Sequence, residues 1–245
     1  MNSFEFKGKT ALVTGSNRGI GKAFVNALIS AGASKIFATT RTTENFIPDI
    51  SNQSEKVEPF LLDVTNPEQI QSAADQISSL DILINNAGIA NASNSTSDHT
   101  LEIARLEMET NFFGPMQLTS ALLPVLKKSP QAAIINVCSI AAISNFPSIS
   151  PYSATKAALH SFTQGLRTDL KNTNICVVGV YPGPIDTRMA EGFEMEKPNP
   201  LQVANKTFNA LKEGITDVMP DDFSQQMYSI FLKHPHELEK VFAEM

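Results

Sequence analysis

The chain has 245 residues, 42% hydrophobic and 18% charged, which suits an ordinary globular α/β protein and excludes a disordered or fibrous one. Its formal charge of −6 gives no attraction to nucleic acid or an anionic membrane, and no apolar run reaches the roughly 20 residues that span a bilayer. Met1–Lys9 lacks a secretory apolar core, and Cys138 and Cys176 form neither a disulfide framework nor a zinc spacing, so cytoplasmic residence is expected.

Apolar, β-rich runs at Thr10–Thr14, Lys35–Thr40, Val57–Asp63, Asp81–Asn85, Ala132–Ser139, Ile175–Tyr181 and Thr216–Met219 predict about seven strands. They are continuous rather than alternating, as in parallel strands covered on both faces. The helix between the first two carries Ile20, Phe24, Ala27, Leu28 and Ala31 on one stripe and stops at Gly32. Asn66-Pro67 opens another as cap and first position, and an apolar-striped helix is predicted over Thr100–Leu126. Thr42–Lys56 is too short and polar for a clear assignment. The tail 220–245 reads as two short helices broken at His234-Pro235. This alternation predicts one α/β domain over 1–245, a doubly wound parallel sheet with helices on both faces.

Directly after the first strand, Thr14-Gly15-Ser16-Asn17-Arg18-Gly19-Ile20-Gly21 runs into a helix. Glycines there permit a tight turn and let the backbone approach a pyrophosphate at the helix N-terminus. The Gly-x-x-x-Gly-x-Gly spacing resembles the short-chain dehydrogenase/reductase family, and the resemblance extends from about Phe6 to Met219. It implies that Asp63, with Val64 beside it, lies at the adenine and that Asn85, Ala87 and Gly88 line the cofactor. It implies further that Asn111, Ser139, Tyr152 and Lys156 form the catalytic set. Pro182-Gly183, Ile185 and Thr187 match the nicotinamide-side loop.

A site of this kind that prefers NAD has an acidic residue ending the second strand. Here no Asp or Glu occurs between Glu5 and Glu44, and Thr39, Thr40 and Arg41 end that strand. Arg41, joined by Arg18, offers a planar fork to a 2′-phosphate, so NADPH is the expected cofactor over NADH.

Tyr152 and Lys156 lie one turn apart on a helix that Ser150-Pro151 opens. A lysine ammonium and the helix N-terminus favour a phenolate, lowering a tyrosine that ordinarily titrates near 10. By resemblance Tyr152 is general acid for carbonyl reduction, Lys156 also holds the nicotinamide ribose, and Ser139 binds the substrate oxygen. Pro115 cannot donate to the Asn111 carbonyl four residues earlier, and the resemblance implies that this carbonyl holds a water in a proton relay. A simple kink is the plainer reading of the same proline.

His99, His160, His234 and His236 show no ligand spacing, so no metal site is expected, and His160 reads as a satisfied helix-face residue. Cys138 reads as core. Met189, Phe193 and Met195 fall in a probable-substrate segment, 186–200, which reads equally as a mobile apolar lid or a packed helix. With Ile143, Phe146 and Ile149 they favour a lipophilic carbonyl or alcohol. Two other functions compete: a 3-oxoacyl thioester reductase and a non-catalytic cofactor-binding regulator or scaffold. Ile89-Ala90-Asn91-Ala92-Ser93-Asn94 departs from the thioester pattern, and the full tetrad argues against the scaffold. Surplus apolar stripes on Thr100–Leu126 and Pro151–Lys171, with the family resemblance, imply a homodimer or homotetramer.

Overall fold

The computed structural model describes residues 3–42 and 55–245, so most of Thr42–Lys56 lies outside the described residues. In chain order come β1 (Thr10–Val13), α1 (Gly19–Ser30), β2 (Lys35–Thr40), β3 (Val57–Leu61), α2 (Pro67–Gln76) and β4 (Ile82–Asn85). They are followed by α3 (Thr100–Met108), α4 (Gly114–Leu126), β5 (Ala132–Val137), α5 (Ser150–Asp169) and β6 (Ile175–Val180). The described chain ends with α6 (Pro200–Glu213), β7 (Asp217–Val218), α7 (Asp222–Lys233) and α8 (Pro235–Ala243).

The seven strands form one sheet in the order β3-β2-β1-β4-β5-β6-β7, and every pairing is parallel. One face packs on α1 and α6 through Phe24, Leu28, Val203 and Phe208; the other packs on α2, α4 and α5 through Ile70, Leu118, Leu122 and Leu166. Two covered faces are why β1, β4 and β5 are apolar at nearly every position. Strand order reverses between β1 and β4, and a crevice opens there beyond the strands' carboxyl ends, where ligands of open α/β sheets bind.

Three departures from the sequence reading have local causes. β3 stops at Leu61 rather than Asp63, because the Asp63 carboxylate accepts the Thr65 N–H at 2.9 Å and turns the chain into α2. The helix expected over Thr100–Leu126 is not continuous. At Glu109–Phe113 it widens into a π turn, in which the Gly114 N–H reaches the Glu109 carbonyl, directly before the donor-less Pro115. α5 begins at Ser150 with Ile149 as its cap, one position earlier than Ser150-Pro151 implied. Among the described residues no helix is long and apolar enough to cross a membrane.

Candidate active site

The glycine turn is held from three sides. Gly15 and Gly19 adopt φ of 61° and 52°, left-handed values that side chains resist. A Cβ on Gly21 would come 2.3 Å from the Gly15 carbonyl oxygen and 2.5 Å from Asn86 Nδ2, so no other residue fits where α1 leaves the turn. Asn86 Nδ2 donates to the carbonyls of Thr14 at 2.8 Å and Gly15 at 3.2 Å, while Thr14 Oγ1 accepts the N–H groups of Asn86 and Ala87 at 2.9 Å each. The Ser16 N–H and hydroxyl both reach the Thr39 carbonyl at 3.0 Å, fastening the turn to the end of β2. Asn17 and Ile20 are half-buried, and Arg18 is exposed as the cap of α1. This cradle of close-packed glycines and free helix N–H groups fits a dinucleotide pyrophosphate.

Around it stand the other expected cofactor residues. Thr40 is buried and donates to the Thr42 carbonyl, while Arg41 is exposed. Neither the Arg18 nor the Arg41 side chain makes a hydrogen bond or ion pair within the described residues. Val64 is buried against Gly114, whose Cβ position lies 2.9 Å from the Val64 carbonyl oxygen. Thr187 hangs over the turn, its Cγ2 3.0 Å from a Cβ placed on Gly19, and donates to the carbonyl of buried Ile185. Asn85 has a different duty. Its amide donates to Thr119 Oγ1 at 3.0 Å and Asn136 Oδ1 at 2.8 Å, inside the core, tying β4 to β5 and α4.

The four expected catalytic residues converge from three elements. Tyr152 and Lys156 project from the first turns of α5, Ser139 follows β5, and Asn111 sits in the π turn; all are buried. The Ser139 hydroxyl stands close enough to the Tyr152 phenol to favour its charged form, while it accepts the Ala141 N–H and donates to the Pro182 carbonyl. Lys156 Nζ donates to the Val137 carbonyl at 2.8 Å. The Asn111 amide makes a two-way bond with Ile89, accepting its N–H and donating to its carbonyl, both at 2.8 Å, and donates to Thr155 Oγ1. A Cβ on Gly88 would come 3.1 Å from Asn111 Oδ1 and 3.5 Å from Lys156 Nζ, so a side chain here would crowd Asn111 and stand against the lysine.

Burial pushes the Tyr152 phenol up from its ordinary value, and the Ser139 hydroxyl opposes this only in part. In the chain alone, desolvation of the phenolate dominates, and no lowering by the neighbouring ammonium accompanies it. Lys156 itself is brought down to about 8, chiefly by burial. Lysine and tyrosine thus both favour their neutral forms more than in water, and the lysine changes charge within the working pH range.

A family model for short chain dehydrogenases matches residues 9–198. The chain belongs to the short-chain dehydrogenase/reductase family. It is an oxidoreductase of that family, and similar chains share most of its length. An uncharacterized oxidoreductase of Staphylococcus aureus is 32% identical over 214 residues, 84% of this chain and 91% of the relative. The NADP-dependent 3-hydroxy acid dehydrogenase of Schizosaccharomyces pombe is 33% identical over 191 residues, covering 75% of this chain and 74% of the relative. A crystal structure of a short-chain dehydrogenase from Burkholderia cenocepacia in complex with NADP superposes with a TM-score of 0.91 at 34% identity, covering 98% of this chain and 99% of that one.

Three residues of this family member were not anticipated as parts of the site. Asp221 is buried at the start of the C-terminal tail, where it caps α7 and accepts the Gly183 N–H at 2.9 Å. Phe242 of α8 joins the cluster that contains Tyr152, Phe146 and Met227. Glu107 of α3 is fully buried and accepts from Asn91. Each depends on a contact distant in sequence; only the Asp-x-x-Ser spacing of Asp221 and Ser224, a capping pattern, was visible beforehand.

Proposed function

We propose that this chain reduces a lipophilic ketone or aldehyde with NADPH, and runs the reverse alcohol oxidation when the balance of substrates favours it. The observation that carries the reading is the convergence of the buried Ser139 and Tyr152 hydroxyls, with Lys156 Nζ 5.6 Å from the Tyr152 ring. Two adjacent hydroxyls can both face one carbonyl oxygen. Ser139 fixes that oxygen, and Tyr152 gives it a proton as the carbonyl carbon gains a hydride. The bound nicotinamide supplies the hydride. Lys156 provides the positive charge that eases loss of the phenolic proton, and it has room beyond Gly88 to meet a ribose hydroxyl.

Arg41 and Arg18 support NADPH as the preferred cofactor, since both are exposed beside the glycine turn and β2 ends without a carboxylate. The Burkholderia cenocepacia neighbour, in complex with NADP, is consistent with this choice. Phe146, Phe193, Ile143, Ile149 and Phe242 give the surroundings of Tyr152 an apolar character suited to a lipophilic substrate. The assembly is a homodimer or homotetramer, built on the exposed Leu106, Phe113 and Met116 along α3, the π turn and α4. Its two free cysteines suit the reducing cytoplasm.

The test is consumption of NADPH with a panel of aldehydes, ketones, quinones and acyl thioesters. Turnover on the lipophilic ketones or aldehydes is expected. Binding of NADPH without turnover on any of them refutes the reading, and turnover on thioesters alone replaces it.

A further inference from the structure

Glu107 is the one carboxylate whose charge reaches both Tyr152 and Lys156 among the described residues. It is fully buried on α3. Its Oε1 accepts the Asn91 N–H at 2.6 Å and Asn91 Nδ2 at 3.0 Å, while its Oε2 is buried with no protein partner. A buried carboxylate with half its acceptors unmet is costly unless a charge offsets it. One turn later, Asn111 grips Ile89 by both N–H and carbonyl. The extended segment after Gly88 is therefore clamped at alternate residues, Ile89 and Asn91, by Asn111 and Glu107. Two residues further, Ser93 accepts the Ser150 N–H and donates its own N–H to Ser148, at 3.0 Å each. That contact sets the start of α5, from which Tyr152 projects.

We propose that Glu107 is a positioning residue for the reaction: its buried carboxylate latches the 89–93 segment onto α3 and acts as the counter-charge of the Lys156 ammonium. The groups facing Lys156 are Tyr152 on its own helix, Cys138 beyond β5, neutral Asn111 on the π turn and Glu107 on α3. Burial pushes the Cys138 thiol up to about 12, so it carries no charge at assay pH. Burial also raises the Glu107 carboxyl, and the Asn91 bonds and Lys156 hold it down. Each member of the Glu107–Lys156 pair favours the charged form of the other.

The structural half of this role needs only an acceptor, whereas the counter-charge needs an anion; Glu107→Gln keeps the first and deletes the second. Carbon-13 NMR of labelled lysine reads Lys156 directly in the uncomplexed chain, its resonance identified by its loss in Lys156→Met. The native midpoint is expected near 8 and the Glu107→Gln midpoint below it. The kinetic arm alone rests on the carbonyl-reductase reading: with NADPH and 4-nitrobenzaldehyde, reductive kcat at pH 8 falls while the KM for NADPH holds. An unmoved midpoint overturns the proposal whatever the kinetics show. Asn91→Ala, which removes one donor to Glu107 and keeps the backbone one, shifts the midpoint in the same direction by less. Should Glu107→Gln not fold, an unmoved midpoint in Asn91→Ala overturns the proposal. A shifted midpoint in a chain inactive on the whole carbonyl panel upholds Glu107 and removes the carbonyl-reductase reading instead.

Discussion

The ring of Phe242, three residues from the chain's end, lies 5.2 Å from that of Phe146, in the loop between Ser139 and Tyr152. Phe146 in turn meets Phe193 of the 186–200 segment at 5.7 Å. One side chain therefore joins the two coverings of the site. Phe242→Ala should raise the KM for a lipophilic carbonyl several-fold and spare a small one such as acetaldehyde. It should also cost about 3 kcal/mol of stability through the cavity left behind. Equal changes for large and small carbonyls would show that α8 has no part in reading the substrate.

Tyr152→Phe removes the proton donor and keeps the ring in its cluster. kcat should fall by about 10²–10⁴-fold, with NADPH affinity and melting temperature nearly unchanged. Fluorescence titration of NADPH beside steady-state rates makes the comparison, and near-normal turnover would exclude Tyr152 as the acid.

Cofactor choice should turn on Arg41. A charge-assisted bond to the 2′-phosphate contributes roughly 1.5–3 kcal/mol, about 10- to 150-fold in affinity. The native chain should favour NADPH in kcat/KM, and Thr40→Asp with Arg41→Ala should reverse the order. If Arg41→Ala leaves the NADPH KM unchanged, Arg18 carries the phosphate or the preference is absent.

The pH profile follows from Lys156, whose ammonium is intact below about 8 and lost above it. Reduction consumes a proton through Tyr152, so its kcat/KM should be level at lower pH and decline as pH rises through about 8. Rate measurements of reduction from pH 6 to 10 check this, and a profile that stays level through about 8 would contradict it.

The exposed stripe of Leu106, Phe113 and Met116 predicts self-association. Replacing Leu106 and Phe113 together by Glu should yield a monomer by light scattering, with its circular dichroism retained. A native chain already monomeric at every concentration would remove the prediction.

The strands were readable because parallel strands covered on both faces must be apolar almost throughout, and the glycine turn because close packing admits nothing larger at Gly21. Other features depend on partners that the local pattern does not announce. Pro115 marked a fault in its helix, yet whether that fault becomes a kink or a π turn is decided by packing around Asn111. Glu107, in a stretch with Glu102 and Glu109, reads as one more solvated acid until Asn91 is brought to it. The ionisation of Tyr152 went the other way from expectation because adjacency on a helix reveals the ammonium but not the depth at which both groups lie.

Asp221 gives the fold a temporal order. Its carboxylate holds the Gly183 N–H across 38 residues of chain and sits past the last strand. During synthesis, the glycine turn can pair with β2 once the first quarter of the chain has emerged. The Pro182-Gly183 loop gains this anchor only after residue 221 has left the ribosome. A nascent chain halted before that point has the residues of the glycine turn but lacks the carboxylate that pins the far wall of the site.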